Sequence, residues 1–299
     1  MQPARRPLAG LLVAQFLGAF NDYAWKIAVT LLLQRELGDD APEVQAQRVA
    51  GLVTVVFLLP LALGTLPAIP LVDRFSKRSV VVATKVLELV LMLAATASLR
   101  AEPGGGVVAL AIVGAMGLQS ALFSPAKYGL LPQLSPHERL SRANGALEFA
   151  TFVAIVAGTA CGPVLLYAAG ASTWLVGAAL SMLALVGLLG ALAVPGVPAS
   201  SEGASAATVV RTAFAALRAD RVLRLAVLGN ALFMGVASLL MQNLQVYAKV
   251  DLALEERRVG LPLATLSIGI GLGSLLAGRM SGRKVELGLL PLGALLLAL

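Results

Sequence analysis

The chain has few of the residues that make a soluble surface or a metal site. Only 13% of its 299 residues are charged, and it holds one histidine and one cysteine. A soluble domain has about a quarter of its residues charged, so this composition excludes a water-soluble globular domain. With Cys161 and His137 alone, neither an intrachain disulfide nor a metal site built from Cys and His can form.

Two enzyme motifs are also missing. Acyltransferases use a His-x4-Asp motif in which the acid holds the histidine as a general base, but Arg142 stands five residues after His137. The Gly-x4-Gly-Lys-Ser/Thr nucleotide loop is absent as well. The sequence therefore predicts a protein that is not an enzyme and needs no cofactor.

Long apolar runs dominate what is present. Hydrophobic residues make up 58% of the chain, and the mean hydropathy is +0.87. Runs of ~20 residues predict membrane-spanning helices, which gives an all-α integral membrane protein. The predicted spans are 8–33, 49–69, 79–99, 107–123, 145–169, 173–194, 222–247 and 260–277. A ninth run begins at Leu287 and reaches only Leu299, too short to cross ~30 Å at 1.5 Å per residue, so a fragment or truncated product is expected.

The basic residues predict the orientation and account for the net charge of +7. With the N-terminus in the cytoplasm, most lysines and arginines fall in cytoplasmic segments, as the positive-inside rule requires. Nucleic acid is therefore not an expected partner. The segment "VPGVPASSEGASAAT" begins a linker at 195–221 that is rich in Pro, Ser and Gly. We expect a six-helix bundle over 1–194 and a partial second bundle over 222–299, the layout of a two-bundle transporter.

Polar residues inside the predicted spans are the functional candidates, because a charge in the membrane is costly unless it is paired or hydrated. Gln15, Asp22 and Lys26 lie on one stripe of the first span, and Asp22 and Lys26 have the i,i+4 spacing of an ion pair. Such a pair could also serve structure alone. Lys85 and Glu88 form a second potential pair, although Lys85 could instead reach the inner surface. The remaining candidates are Asn144, Glu148 and Thr151 on one face of the fifth span, and Asn230, Gln242, Asn243 and Gln245 in the seventh.

The polar stretch from 123 to 149 interrupts the apolar pattern between the fourth and fifth spans. Its prolines, at 125, 132 and 136, predict a break in regular helix. Ser135, Pro136 and Glu138 have the spacing of a helix start. These features predict an amphipathic segment on the inner membrane surface, either contacting the substrate or acting only as a brace.

Two short basic turns end corresponding spans. "PLVDRFSKRSVVV" follows the second span and "LLAGRMSGRKVEL" the eighth. Both resemble the signature loop of the major facilitator superfamily, Gly-x-Leu-Ala-Asp-Arg-x-Gly-Arg-Lys. The first departs from it at Ile69 and Ser76, and the second at Gly278. The resemblance implies a conformational latch formed by Asp73, Arg74, Lys77 and Arg78, whereas the alternative is a plain positive-inside turn.

The fifth span contains Gly158 and Gly162 within "GTACGPVLL". Four residues apart, the two glycines share one helix face, which predicts close approach of another helix.

Further blocks resemble one branch of the superfamily. "AQFLGAFNDYAWK", "FSPAKYG", "ANGALEFATFVAIVAGT" and "VELGLLPLGAL" look like the bacterial lysophospholipid transporters, some of which are fused to an acyltransferase and an acyl-ACP synthetase. This resemblance implies import of lysophospholipid, chiefly lysophosphatidylethanolamine, across the inner membrane by alternating access for reacylation. A generic superfamily transporter of a small soluble substrate or drug is the alternative, and a purely structural membrane protein is the fallback.

The zwitterionic headgroup of such a substrate needs a carboxylate for its ammonium and a cation for its phosphate. We expect Asp22 to supply the first and Lys127 the second. The other candidate substrate-binding residues are Asn21, Lys26, Asn144 and Glu148.

Overall fold

The computed structural model describes residues 6–38, 42–196, 206–250, 252, 260–281 and 288–298. The regular elements of this part of the chain are all helical. They are α1 (Arg6–Glu36), α2 (Glu43–Asp73), α3 (Lys77–Ala101), α4 (Gly106–Leu134), a 3₁₀ helix (His137–Arg139), α5 (Leu140–Ala169), α6 (Trp174–Leu192), α7 (Ala206–Ala219), α8 (Arg221–Val250), α9 (Gly260–Met280) and α10 (Leu289–Ala298).

The surface of the helices is as apolar as a membrane protein requires. Within the described residues, α2 to α6 are long and apolar enough to cross a bilayer. Large apolar side chains such as Leu63 and Tyr167 point outward, at 68% and 86% exposure. A soluble protein rarely exposes apolar surface on this scale. The predicted all-α membrane class is confirmed.

The contacts among the first six helices repeat with a period of three helices. α1 packs against α5 as α4 packs against α2, and α1 packs against α6 as α4 packs against α3. This is the contact pattern of two related three-helix units, a common plan of membrane transporters. The buried core follows it, because α1 and α4 both lie inside the bundle and contact each other.

Glycines allow the backbones of paired helices to touch. A Cβ on Gly158 of α5 would lie 2.5 Å from the carbonyl oxygen of Phe20 in α1, and one on Gly162 would lie 3.0 Å from that of Ala24. The first distance is one that real Cβ atoms almost never show, and the second is unusually tight, so a larger residue would push α5 away from α1. The predicted close approach at these two glycines is confirmed.

The predicted break in regular helix is wrong at Pro125 and Pro132, and the break falls instead at Ser135 and Pro136, between α4 and the 3₁₀ helix. α4 runs on through Pro125 and Pro132 to Leu134. Its last turns bury Leu130 and Leu131 in the bundle core. This packing outweighs the backbone hydrogen bond lost at each proline, as is common in membrane helices.

Ser135 is also not the predicted helix N-cap. Its N–H donates to the carbonyl of Leu131 at 3.1 Å and so ends α4. The chain then turns at Pro136 into the 3₁₀ helix. The polar stretch is therefore mostly helix that extends α4 and α5, and no separate amphipathic surface segment forms there.

The second half of the chain has helices on the predicted apolar runs. α8 and α9 cover 222–247 and 260–277, and α9 packs against α5. The helix α7 lies within the predicted linker, and residues 197–205 of that linker are outside the described part of the chain. The side chains of Gln242, Asn243 and Gln245 and the second basic turn beyond Ser281 are likewise outside the described residues. The division into two bundles stays a prediction.

Candidate functional site

A cavity of about 230 Å³ lies among the first five helices. Its wall combines charged, amide and hydroxyl groups with aromatic rings. The lining residues include Gln15, Gly18, Asp22, Tyr23, Phe57, Lys85, Gln119, Ser120, Phe123, Ser124, Lys127 and Thr151. A cavity that holds charged and polar groups inside a membrane bundle is the usual place for a transported ligand.

Asp22 of α1 lines this cavity and has one unsatisfied carboxylate oxygen. Its Oδ2 accepts a hydrogen bond from Ser120 Oγ of α4 at 2.7 Å. Its Oδ1 is buried and has no hydrogen-bond partner among the described residues. A buried acceptor without a partner costs free energy. The oxygen therefore retains the capacity to accept one further hydrogen bond.

Lys127 of α4 faces the same cavity with neutral partners. Its Nζ donates to Gln15 Oε1 at 3.0 Å, and Gln15 Nε2 donates in turn to Thr151 Oγ1 at 2.8 Å. Its Nζ also lies 4.9 Å from the centre of the Tyr128 ring. An ammonium has three donors, so the bond to Gln15 leaves capacity for an anionic ligand.

Next to Asp22 and Lys127, two further charged residues form an ion pair with each other. Lys85 Nζ donates to Glu88 Oε2 at 2.6 Å, and each side chain is only 1% exposed. Asn21 donates to Glu88 Oε1 at 3.0 Å and to the carbonyl of Leu180 at 3.2 Å. Gly18 has no side chain to occupy the space that the Lys85 ammonium fills. The predicted Lys85–Glu88 pair is thus formed, and Lys85 does not extend to the inner surface.

The predicted ion pair between Asp22 and Lys26 is not formed. The ion pairs within the described residues are Asp73–Lys77 and Lys85–Glu88. Lys26 Nζ instead lies 4.1 Å from the centre of the Tyr23 ring and 5.6 Å from that of Phe57. Aromatic faces attract cations, and Asp22 has Ser120 as its partner.

The remaining predicted site residues are outside the cavity wall. Asn21 is fully buried behind it, and Glu148 accepts a hydrogen bond from the Tyr128 hydroxyl at 2.6 Å. Asn144 is exposed, one turn before Glu148 on α5. The structure therefore brings Asp22 and Lys127 to one cavity, places Asn21, Lys26 and Glu148 around it, and leaves Asn144 apart.

The sequence analysis missed three polar residues of α4. They are Ser120, which bonds Asp22, Tyr128, which bonds Glu148, and Gln119, whose Nε2 donates to the carbonyl of Thr84 at 3.1 Å. The sequence signal for Gln119 and Ser120 is that they are neighbouring polar residues, in "GLQSALFS", inside an otherwise apolar run.

The predicted latch residues form contacts within the first six helices. Asp73 pairs with Lys77 and not with an arginine. Arg78 donates to the carbonyls of Val194 at 2.6 Å and Leu192 at 3.1 Å, which ties α3 to the end of α6. Ser76, which replaces a signature glycine, caps α3 by accepting the Ser79 N–H at 3.1 Å. Arg74 is exposed.

Comparison with known proteins gives the family. The family model described as Major Facilitator Superfamily matches residues 11–299. The chain belongs to the Major Facilitator Superfamily. A human protein of known structure, the organic anion transporter MFSD10 (TETRAN), superposes with a TM-score of 0.64 at 14% identity, over 96% of this chain and 74% of that one. At this identity the likeness shows the fold.

Two relatives found by sequence are more similar to this chain than MFSD10 is. Proteins named lysophospholipid transporter LplT from Yersinia pestis (strain Pestoides F) and Yersinia pseudotuberculosis serotype O:3 (strain YPIII) are each 30% identical over 300 residues. The alignments cover 97% of this chain and 69% of each relative. They confirm the resemblance to that branch predicted from the sequence. The chain is therefore a multi-pass membrane protein of a transporter superfamily.

Proposed function

We propose that the protein transports lysophospholipid, in particular lysophosphatidylethanolamine, across the bacterial inner membrane by alternating access. One observation carries the proposal. One cavity is lined by Asp22, which has a carboxylate oxygen without a hydrogen-bond partner among the described residues, and by Lys127, whose hydrogen-bond partner Gln15 is neutral. The names of the Yersinia relatives support the same cargo.

The chemistry of the two groups suits a zwitterionic headgroup. An ammonium can donate to Asp22 Oδ1, and a phosphate can accept from Lys127 Nζ. Hydrogen bonds between charged groups are roughly twice as strong as neutral ones. Because Asp22 and Lys127 are held by Ser120 and Gln15, little side-chain freedom is lost when the ligand binds.

The size of the cavity suits a headgroup without its acyl chain. Pockets that enclose drug-sized ligands measure ~300–1,000 Å³, and this cavity measures about 230 Å³. The single acyl chain would lie against apolar helix surface. Lys26, Asn21 and Glu148 act around the cavity by holding its wall, while Asn144 is exposed and lies outside that wall.

We further propose an orientation for the transporter and the parts of it that move. The excess of basic residues on one side supports a cytoplasmic N-terminus. Asp73, Arg74, Lys77 and Arg78 form the latch that holds one conformation, and the bundles of 1–194 and 222–299 move relative to each other. Imported lipid would be reacylated by an acyltransferase or acyl-ACP synthetase, fused or separate.

Uptake by spheroplasts that lack their own transporter tests the function. Cells expressing the protein should accumulate labelled lysophosphatidylethanolamine, and Asp22→Asn or Lys127→Gln should reduce the rate at least tenfold at matched expression, since each removes a charge-assisted bond of ~1.5–3 kcal/mol. Glu102→Gln, which neutralises an exposed carboxylate outside the cavity, is the matched control and should leave uptake unchanged.

Two results would count against the proposal. Uptake that neither variant alters would remove the assigned site. Absence of uptake by a well-expressed protein, together with transport of a small soluble compound, would favour the generic transporter instead.

A further inference from the structure

The helix α7, between the sixth and seventh predicted spans, has two unlike faces. Val210, Phe214 and Leu217 follow the i, i+4, i+7 spacing of one apolar stripe. Arg211 and Arg218 are seven residues apart and lie together on another face. Although α7 contacts α2 and α8, Phe214 is 58% exposed and Val210 38% exposed.

A fixed corner joins α7 to α8. The N–H of Asp220 donates to the carbonyl of Ala216 at 2.8 Å, which closes the last turn of α7. The carboxylate of Asp220 accepts the N–H groups of Val222 at 2.8 Å and Leu223 at 3.1 Å, which caps α8. Side-chain caps of this kind stabilise a helix start by ~1 kcal/mol.

Arg224 closes the other side of the corner. Its Nη1 donates to the carbonyls of Leu217 at 3.5 Å and Arg218 at 3.4 Å, in the last turn of α7. Since α8 carries the apolar run 222–247, a predicted span, this corner would hold α7 at the surface of the bilayer.

Most of the charged side chains around the corner are positive. Arg211, Arg218 and Arg221 are exposed, and neither of the two ion pairs within the described residues involves them. The acid nearby, Asp220, is used to cap α8. Exposed apolar side chains beside unpaired arginines are the pattern of a helix that lies in a membrane interface.

We propose that α7 binds the cytoplasmic leaflet, with Val210, Phe214 and Leu217 at the acyl boundary and Arg211 and Arg218 on the headgroups of anionic phospholipids. The bilayer is favoured over a protein partner because Asp220 alone separates α7 from a predicted span. Each arginine near an anionic surface adds roughly a fivefold preference for the bound state. This site does not depend on which cargo the transporter carries.

Fluorescence of the reconstituted full chain tests the proposal. An environment-sensitive label is placed on Phe214→Cys or Thr212→Cys, each in a Cys161→Ser background, because Thr212 lies on the opposite side of α7 from Phe214. In vesicles of phosphatidylcholine with 30 mol% phosphatidylglycerol, the label at 214 should shift to the blue and be quenched by spin-labelled lipid. The label at 212 should be quenched by aqueous iodide.

Substitutions of the two arginines distinguish binding to anionic lipid from burial of the 214 label by other means. Arg211→Gln with Arg218→Gln should reduce protection of the 214 label by roughly 25-fold in the binding equilibrium, whereas Arg211→Lys with Arg218→Lys should keep it. Arg35→Gln with Arg48→Gln removes the same charge from exposed sites in α1 and α2 and should have no effect.

Three outcomes would overturn the proposal. Equal iodide quenching at 212 and 214 in anionic vesicles would show that α7 does not enter the interface. Protection that is unchanged in pure phosphatidylcholine would remove the role of anionic headgroups. Protection that persists in neutral detergent and rises with protein concentration would identify a second copy of the chain as the occupant.

Discussion

Two groups of charged residues lie side by side in the bundle and differ in how their charges are satisfied. Lys85 and Glu88 neutralise each other, and Asn21 completes the hydrogen bonding of Glu88. Asp22 and Lys127 each have a neutral partner, Ser120 and Gln15. Lys85 and Glu88, the closed pair, join α1, α3 and α6, and Lys85 alone of the two lines the cavity. Asp22 and Lys127, the open pair, both line it.

The difference separates a structural role from a binding role. Removing one partner of a buried ion pair strongly destabilises the fold, because the other charge is left buried without compensation. A charge held by a neutral group is positioned but not neutralised, so a ligand of opposite charge can still pair with it. The two groups should therefore respond differently to substitution, in stability for the first and in affinity for the second.

Breaking the closed pair should have the largest effect. Lys85→Met leaves Glu88 buried without its cation and should cost ~3–5 kcal/mol of stability. Thermal unfolding of the purified protein in detergent, followed by the fluorescence of its tryptophans, measures the loss. Lys85→Met combined with Glu88→Leu should recover most of it. A single variant that unfolds at the wild-type temperature would show that the pair does not stabilise the bundle.

Neutralising the open pair should change affinity more than stability. Asp22→Asn keeps the size of the side chain and its hydrogen bond with Ser120, so the unfolding temperature should move little. Affinity for lysophosphatidylethanolamine should fall ~10–100-fold, the value of one hydrogen bond to a charged group. Equilibrium binding of labelled lipid measures this. A large fall in unfolding temperature with unchanged affinity would reverse the assignment of the two groups.

Removing the tie at the end of α6 should have a smaller and local effect. Arg78→Gln loses the bonds to the carbonyls of Leu192 and Val194, which together contribute about 1–3 kcal/mol. Hydrogen exchange should become faster at the end of α6 and remain unchanged around the cavity. Faster exchange throughout the bundle would indicate that Arg78 supports the whole fold.

Substituting Asn144 should have the smallest effect. The side chain is exposed and does not line the cavity. Asn144→Ala should therefore change lipid affinity less than twofold in the same binding assay. A fall comparable to that of Asp22→Asn would extend the site along α5.

Local sequence signals predicted the helices and part of the packing. The run 79–99 became α3, with Lys85 and Glu88 paired at i,i+3, and the glycine spacing in α5 predicted its contact with α1. These features depend on the composition and spacing of neighbouring residues.

Features that depend on tertiary contacts were not predictable in this way. The Asp22–Ser120 and Lys127–Gln15 bonds join residues 98 and 112 positions apart. The i,i+4 spacing instead suggested Lys26 as the partner of Asp22. Likewise the prolines of α4 predicted a break that burial of Leu130 and Leu131 prevents.

The most direct test of the account compares two headgroups on one variant. Lysophosphatidylethanolamine and lysophosphatidylglycerol share a phosphodiester, but only the first carries an ammonium. If Asp22 receives that ammonium, Asp22→Asn should weaken binding of the first lipid ~10–100-fold and leave the second unchanged or slightly tighter. Equal losses for both lipids, or no loss for either, would contradict the assignment of the cavity as a site for a zwitterionic headgroup.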